Sequence, residues 1–130
     1  MKTILYLIDT LQTGGAEKSL LEISSRMRQF KVVFLTVFQD SHALVKGYNS
    51  TNIEFIHLNF PKGTNYNTIL PTLRKKIATI DPVIIHATLY HSEMLSRRLK
   101  MNIPIVNSLV NNSYHKRRYI GLGWKGKVEE

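Results

Sequence analysis

The stretch Lys2-Thr-Ile-Leu-Tyr-Leu-Ile8 decides the fold class of this chain, together with the two elements that follow it. It is almost continuously apolar and does not alternate, which is typical of a strand buried on both faces at the centre of a parallel sheet. A turn at residues 12–15 comes next, and residues 31–38 form a second apolar stretch of the same kind. Between them, apolar residues spaced by four, three and four predict a helix whose buried face consists of Ala16, Leu20, Ile23 and Met27. Strand, helix and strand make a βαβ unit.

The same alternation continues along the chain. Residues 52–58 alternate apolar and polar side chains, as a half-exposed strand near a sheet edge does. The next helix has Pro71 near its start, where we expect it in the first turn, and it ends at Asp81-Pro82. Its predicted apolar face consists of Ile69, Leu70, Leu73, Ile77 and Ile80. A strand at 83–87, a helix at 92–101 and a strand at 103–109 complete the pattern.

This order of elements predicts an α/β fold. We expect an open parallel Rossmann-like sheet with helices on both faces and the strand order 3-2-1-4-5. Residues 114–130 are basic, contain glycine and show little periodicity, which indicates a loop or the start of a further element. In such a sheet, ligands bind beyond the carboxyl ends of the strands, where the strand order reverses. We expect four segments to meet there, at residues 9–16, 38–42, 86–91 and 109–114.

Length and composition indicate a single domain over residues 1–130. A chain of 130 residues falls within the range of about 100–200 residues expected of one domain. Its 43% hydrophobic and 21% charged residues exclude a chain that is mainly disordered. The sequence has no cysteine, which excludes disulfides, thiolate zinc sites and a cysteine nucleophile. No apolar run approaches the about 20 residues of a membrane-spanning helix, so we predict a cytoplasmic protein that begins at Met1.

The charge balance favours an anionic partner. Eighteen Lys and Arg residues against nine Asp and Glu residues give a net charge of +9, which attracts phosphate-bearing molecules. Nucleic acid, anionic lipid and phosphorylated small molecules all fit this charge. The basic clusters at 74–76, 97–100 and 116–118 are each also explained as solvated surfaces.

Two glycines provide the first candidate site. Gly14 and Gly15 precede the first helix, whose free N–H groups and positive dipole end favour an anion such as phosphate. The spacing matches neither the dinucleotide fingerprint nor the P-loop. The alternative is that the glycines only make a tight strand-to-helix turn. We name residues 12–15 the glycine turn.

Histidines and amides provide further candidates near the ends of the fourth and fifth strands. His86, with Thr88, His91 and Glu93 close behind it, could contact a phosphate or a hydroxyl, or could simply be a core histidine. No third ligand accompanies His86 and His91, so we predict no metal site. Asn111 and Asn112 belong to a polar segment suited to recognising hydroxyls, although Asn-Asn-Ser is also common in turns. The other polar residues of that segment are Asn107, Ser108 and Ser113.

Three segments together resemble a known family. They are the start Ile-Leu-Tyr-Leu-Ile-Asp-Thr-Leu-Gln-Thr-Gly-Gly-Ala-Glu-Lys-Ser-Leu at 4–20, the segment Asp-Pro-Val-Ile-Ile-His-Ala-Thr-Leu-Tyr-His-Ser-Glu at 81–93, and Ile-Pro-Ile-Val-Asn-Ser-Leu at 103–109. Over about residues 2–112 the chain resembles the N-terminal, acceptor-side domain of the family 4 glycosyltransferases. The resemblance implies one half of a GT-B enzyme that transfers a sugar, with retention of configuration, from a nucleotide-sugar donor to a glycan or lipid-linked acceptor. No cofactor is implied beyond that co-substrate.

The resemblance also implies roles for single residues. Gly14, Gly15 and Glu17 would bind donor or acceptor phosphate, and His86, Asn111 and Asn112 would line the acceptor cleft. Many relatives have a histidine just after the fifth strand, where this chain has Leu109-Val-Asn111, so that contact does not carry over.

The donor-binding domain of the family, with its paired glutamates, has no counterpart in these 130 residues. We therefore expect a truncated chain that is inactive alone, with a subunit that borrows its donor domain or a non-catalytic remnant as alternatives. A peripheral association with the inner face of an anionic membrane would suit the lipid-linked acceptor and the basic residues. The competing interpretation is a basic Rossmann module that binds phosphorylated ligands or nucleic acid, although the chain lacks the interleaved aromatic and basic residues that stacking on bases needs.

Overall fold

The computed structural model describes residues 1–12, 14–48 and 50–107, which form a parallel sheet flanked by helices. The strand order is β3-β2-β1-β4-β5, as predicted. All four strand pairings are parallel, so the α/β fold class is confirmed. The strands are β1 (Thr3–Ile8), β2 (Lys31–Phe38), β3 (Ile53–Phe60), β4 (Ile84–Thr88) and β5 (Ile105–Asn107). The helices are α1 (Gly15–Ser25), α2 (Tyr66–Ile80) and α3 (Tyr90–Arg98), with a short 3₁₀ helix at Ala43–Gly47.

The two faces of the sheet carry separate cores. Alternate residues of β1 point to opposite faces, so that Leu5 and Leu7 belong to one core and Tyr6 and Ile8 to the other. The first core packs against α2 and α3, and the second packs against α1 and the 3₁₀ helix. Helices therefore lie on both faces, as predicted. We name these sides the α2–α3 face and the α1 face.

The buried face of α1 was predicted correctly only in part, since Leu20 is partly buried and packs against the core of the α1 face. Leu21 is fully buried, whereas Ile23, which was assigned to the buried face, is 57% exposed. Glu17 and Ser24 are also buried, and with Leu21 they follow the helical spacings of four and three. The spacing of apolar residues did not reveal this face, because Glu17 and Ser24 are polar. Met27 lies beyond the end of α1, and the side chain of Ala16 is outside the described part of the structure.

The helix α2 confirms its predicted face but not the position of its proline. Its buried residues are Ile69, Leu70, Leu73 and Ile77. The helix begins at Tyr66 after the cap Asn65, so Pro71 is its sixth residue and lies beyond the first turn. Proline has no backbone N–H, so Pro71 cannot donate to the carbonyl of Asn67 one turn earlier. Both residues are exposed, so water can donate to that carbonyl instead.

The boundaries of the remaining elements differ from the predicted ones by a few residues. The helix α2 ends at Ile80, and Asp81 follows in the left-handed conformation with φ 52°. The helix α3 begins at Tyr90, two residues earlier than predicted. Residues 108 and 109 of the predicted fifth strand lie outside the described residues.

Within the described chain, no helix combines the length and the apolar character that crossing a membrane requires.

Candidate functional site

A cleft of about 410 Å³ lies at the carboxyl ends of β1, β2 and β4. This is the edge at which ligands bind in open α/β sheets, and β1 is the strand from which the chain order runs in both directions. The lining includes aromatic rings, a lysine, a carboxylate and an amide. The lining residues are Asp9, Thr10, Gln12, Phe38, Lys62, Gly63, Leu89, Tyr90 and His91.

Asp9 joins three elements at the floor of the cleft. It follows β1 directly, and its backbone carbonyl accepts hydrogen bonds from the N–H groups of Val37 and Phe38 at the end of β2. Its carboxylate accepts hydrogen bonds from the backbone N–H of His91 at 3.1 Å and from the N–H and hydroxyl of Ser92, both at 2.7 Å. The carboxylate thus occupies the positive end of the α3 dipole, where a ligand anion could otherwise bind. Asp9 is a structural anchor of the cleft.

The backbone at Leu89 is strained where it enters the cleft. Leu89 has φ 73° and ψ 161°, a region adopted almost only by glycine. Such a conformation costs about 1–3 kcal/mol and persists only where the surroundings hold it. Here the following residues are held by Asp9, and the Leu89 carbonyl accepts from Glu93 N–H at 3.0 Å. Tyr90 and His91, which follow this backbone conformation directly, both line the cleft.

Aromatic rings surround His91 on the wall of the cleft. The Tyr66 hydroxyl lies 2.6 Å from His91 Nδ1, and the His91 ring meets Phe38 edge-on at 5.1 Å. Tyr90, its neighbour in sequence, also meets it edge-on and is 56% exposed. Burial raises the pKa of Tyr66, Tyr90 and Asp9 raise it further, and Arg98 opposes them. The arrangement offers an exposed ring face next to hydrogen-bonding groups.

Asp40 lies behind the lining residues Gln12 and Lys62 and contacts both of them. The Asp40 carboxylate accepts from the Gln12 side chain and lies 3.5 Å from Lys62 Nζ. Burial acts to raise the pKa of Asp40, but hydrogen bonds from Gln12 and residues 41–42 together lower it to about 2. Gln12 is therefore oriented by a carboxylate that stays ionised, and Lys62 remains largely exposed to solvent.

The glycine turn has two different glycines. Gly14 is the N-cap of α1, and a Cβ added there would overlap the Glu17 carboxylate, whereas one added at Gly15 would meet no atom within 4 Å. Glu17 is 9% exposed; burial raises the pKa of its carboxyl, and a hydrogen bond from its own N–H opposes that rise. A side chain at Gly14 would therefore force the buried Glu17 carboxylate to move. Gly15 leaves open space at the N-terminus of α1, where no side chain caps the helix.

His86 does not lie where the sequence placed it. It is the third of five residues in β4, in register with Tyr6 and Val106 on the α1 face of the sheet. Its ring lies 5.0 Å from the Tyr6 ring, and burial lowers its pKa. The strand-end position belongs to Thr88 instead. A role of His86 in an acceptor cleft stays a prediction.

The predicted site residues therefore separate into groups. Gly14, Gly15 and Glu17 lie together at the start of α1, apart from the residues that line the cleft. Asn111 and Asn112 fall outside the described residues. Among the residues that are described, no group of three or more His, Asp or Glu side chains could hold a metal ion.

Sequence reasoning missed two of the lining residues, Lys62 and Gly63, because the segment after β3 carries no local signal of a site. The other lining residues belong to the segments at 9–16, 38–42 and 86–91, which the sequence places at this edge of the sheet because each lies at or after the end of a predicted strand.

Comparisons with known proteins add no family assignment. No protein-family model matches the chain, and none of the curated proteins matches it in sequence.

Proposed function

We propose that this chain is the acceptor-side domain of a retaining glycosyltransferase, resembling family 4, which transfers a sugar from a nucleotide-sugar donor to a glycan or lipid-linked acceptor. The observation that carries the proposal is the cleft at the carboxyl ends of β1, β2 and β4, lined by exposed aromatic and hydrogen-bonding groups. The sequence resemblance supplies the reaction class, and the fold is the one that the resemblance implies.

The lining of the cleft suits a sugar. A pyranose ring presents an apolar face and a rim of hydroxyls, and recognition needs a few placed polar groups beside an apolar surface. Tyr90 offers an exposed ring for the apolar face. Gln12 and Thr10 offer donors and acceptors for hydroxyls, and Lys62 offers a positive charge for a phosphate on a lipid-linked acceptor.

The reaction needs groups on both sides of the reacting atoms. The cleft-lining residues form one wall, and we propose that a second domain, in the same or another chain, holds the nucleotide donor against it. Gly14, Gly15 and Glu17 would lie nearest the donor diphosphate, where the N-terminus of α1 favours an anion. His86, Asn111 and Asn112 keep their proposed place on the acceptor side. The 130 residues alone should show no turnover with nucleotide sugars.

A basic surface supports the proposed association with an anionic membrane. The helix α2 contains no acidic residue, and Glu93 is the one acidic residue within α3. The guanidinium of Arg74 donates to the carbonyls of Arg98 and Leu99, which fixes the two helices side by side. The basic residues on these two helices and just after α3 are Arg74, Lys75, Lys76, Arg97, Arg98 and Lys100, of which Lys76 lies toward β1 and β3 beside Glu54. Basic residues near an anionic leaflet contribute about 1 kcal/mol each.

The same surface favours the competing function. A basic module for phosphorylated ligands or nucleic acid would bind its ligand through these residues, and its cleft would not bind a sugar. Binding to anionic vesicles but not to zwitterionic ones, released by salt, would favour the membrane. Tighter salt-sensitive binding to single- or double-stranded nucleic acid would favour the alternative.

Sugar binding to the cleft tests the proposal directly. We would titrate the ¹⁵N-labelled chain with methyl glycosides of glucose, galactose and N-acetylglucosamine, and follow the amide resonances. We expect at least one sugar to shift Gln12, Tyr90 and His91, and Tyr90→Ala to abolish the shifts. Ile23→Ala removes an equally exposed apolar side chain on α1, outside the cleft, and should leave binding unchanged. No shift with any sugar, or glycosyl transfer by the isolated 130 residues, would contradict the proposal.

A further inference from the structure

A stacked pair of histidines lies behind the cleft and is used by none of the roles above. His42, in the segment after β2, stacks on His57 of β3 with ring centroids 4.1 Å apart and an interplanar angle of 9°. His42 is 6% exposed and His57 is half-buried. The Thr36 hydroxyl on β2 lies 2.5 Å from His57 Nδ1. The pair is therefore enclosed by two strands and by its own loop.

The hydrogen bonds of His42 determine which nitrogen carries its proton. The backbone N–H of Leu11 donates to His42 Nδ1 at 3.2 Å, so Nδ1 must be an acceptor without a proton. The proton of the neutral ring is then on Nε2, which is buried and has no hydrogen-bond partner among the described residues. A second proton could only enter at Nδ1, where it would face the Leu11 N–H. Protonation and the Leu11 contact exclude each other.

Leu11 connects this ring to the cleft. The Leu11 carbonyl accepts from Leu44 N–H at 3.3 Å, and the next residue, Gln12, lines the cleft and donates to Asp40. The segment 40–44 thus holds residues 11–12 by three hydrogen bonds, and the one through His42 is the one that a proton can break. His42 itself has φ 47°, a left-handed conformation that Asn also tolerates.

We propose that His42 is a proton-sensitive positioning residue that holds Leu11, and with it the Gln12 wall of the cleft, only while its ring is neutral. In acid, the protonated ring releases the Leu11 N–H and this wall loosens. The consequence for sugar binding rests on the proposed function, whereas the proton-sensitive contact does not.

The charged and titratable groups around the pair agree with this assignment. Burial lowers the pKa of His42, and the nearby Asp40 opposes that fall. Burial also lowers the pKa of His57, and the neighbouring His42 lowers it further. Two rings stacked this closely cannot both carry a positive charge, so they titrate as a coupled pair below the ordinary histidine range. At neutral pH the contact is therefore intact.

The test follows the ligand-free full chain by NMR, so its outcome is independent of any sugar. We would assign the ring nitrogens of His42 and follow the Leu11 amide from neutral to mildly acidic pH. We expect Nδ1 to be unprotonated at neutral pH. The Leu11 resonance should then titrate together with His42, and its protection against hydrogen exchange should fall about fivefold, as for one lost hydrogen bond.

Two variants make the test specific. His42→Asn keeps an acceptor oxygen and the left-handed conformation but does not titrate, so the Leu11 amide should become insensitive to pH. His57→Phe keeps a stacked ring without a second titrating group, so His42 should titrate in one step, and the Leu11 amide should follow that single step. A His42 ring with its proton on Nδ1 at neutral pH, or a Leu11 amide that ignores the titration of His42, would overturn the proposal.

Discussion

Replacing Asp9 should destabilise the protein through the N-terminus of α3. The Oδ1 atom of Asp9 accepts two hydrogen bonds from Ser92, both at 2.7 Å, and Oδ2 accepts one from His91 N–H at 3.1 Å. Ser92 is fully buried, so its groups cannot turn to water when the carboxylate is removed. The loss of an N-cap costs about 0.5–2 kcal/mol, and a hydrogen bond to a charged group contributes about 1.5–3 kcal/mol.

These terms overlap, so we expect Asp9→Ala to lower the free energy of unfolding by about 2–4 kcal/mol. Asp9→Asn keeps one acceptor oxygen for Ser92 but loses the charge and the bond to His91, and should cost about 1–2 kcal/mol. Urea denaturation measures both changes. With a slope of about 2 kcal/mol per M, the midpoint should fall by about 1–2 M for Asp9→Ala and by half as much for Asp9→Asn.

Asp81→Asn is the matched control for this experiment. Asp81 is exposed and adopts a left-handed conformation, with φ 52°, that Asn accepts. Its unfolding free energy should change by less than about 0.5 kcal/mol. If Asp9→Ala has no larger effect than this control, the carboxylate does not anchor α3, and the account of the cleft floor is wrong.

Three further predictions follow from the site. Gly14→Ala should destabilise the fold by displacing the Glu17 carboxylate, and a second change, Glu17→Ala, should rescue it. Gly15→Ala should be neutral or stabilising by up to about 1 kcal/mol. Thermal unfolding of these three variants checks this, and equal losses at both glycines would refute it. Leu89→Gly and Leu89→Ala both lose the contacts of a half-buried side chain, but only glycine relieves the backbone strain of about 1–3 kcal/mol. The glycine variant should therefore be the more stable of the two in urea denaturation. The reverse order would show that the backbone is not strained. The pKa of Asp40 lies at about 2 in the folded protein against an ordinary 3.8. Its contribution to stability is therefore complete above about pH 4 and is lost as the pH falls toward 2. Asp40→Asn should flatten the curve of stability against pH in this range, and an unchanged curve between about pH 2 and pH 4 would contradict the assignment.

Local patterns were sufficient to predict the strands and α-helices and their order, although not the 3₁₀ helix at Ala43–Gly47. Long apolar runs such as residues 31–38 and the spacing of Ile69, Leu73 and Ile77 reflect burial directly, because each residue type reports its own preference for the core. The same logic failed at α1, where Glu17 and Ser24 are buried despite their polarity. At Ser24 the backbone carbonyl accepts from the Asn52 side chain, whereas the buried hydroxyl has no hydrogen-bond partner among the described residues. The burial of both residues is therefore set by how α1 packs on the sheet, which the polarity of the residues does not reveal.

The sequence by itself determined the parallel α/β sheet, its strand order and the edge at which a ligand would bind, because these follow from the alternation of strands and helices and from the handedness of their connections. Only the tertiary structure decided which side chains meet there. Asp9 and Ser92 are 83 residues apart in sequence, and the parallel pairing of β1 with β4 brings them within 2.7 Å. The pairing of β2 with β3 likewise brings His57 to Thr36, and the left-handed turn at residue 42 then lays His42 over it. Such contacts depend on the register between strands and on single backbone conformations, which the spacing of residues along one segment does not contain.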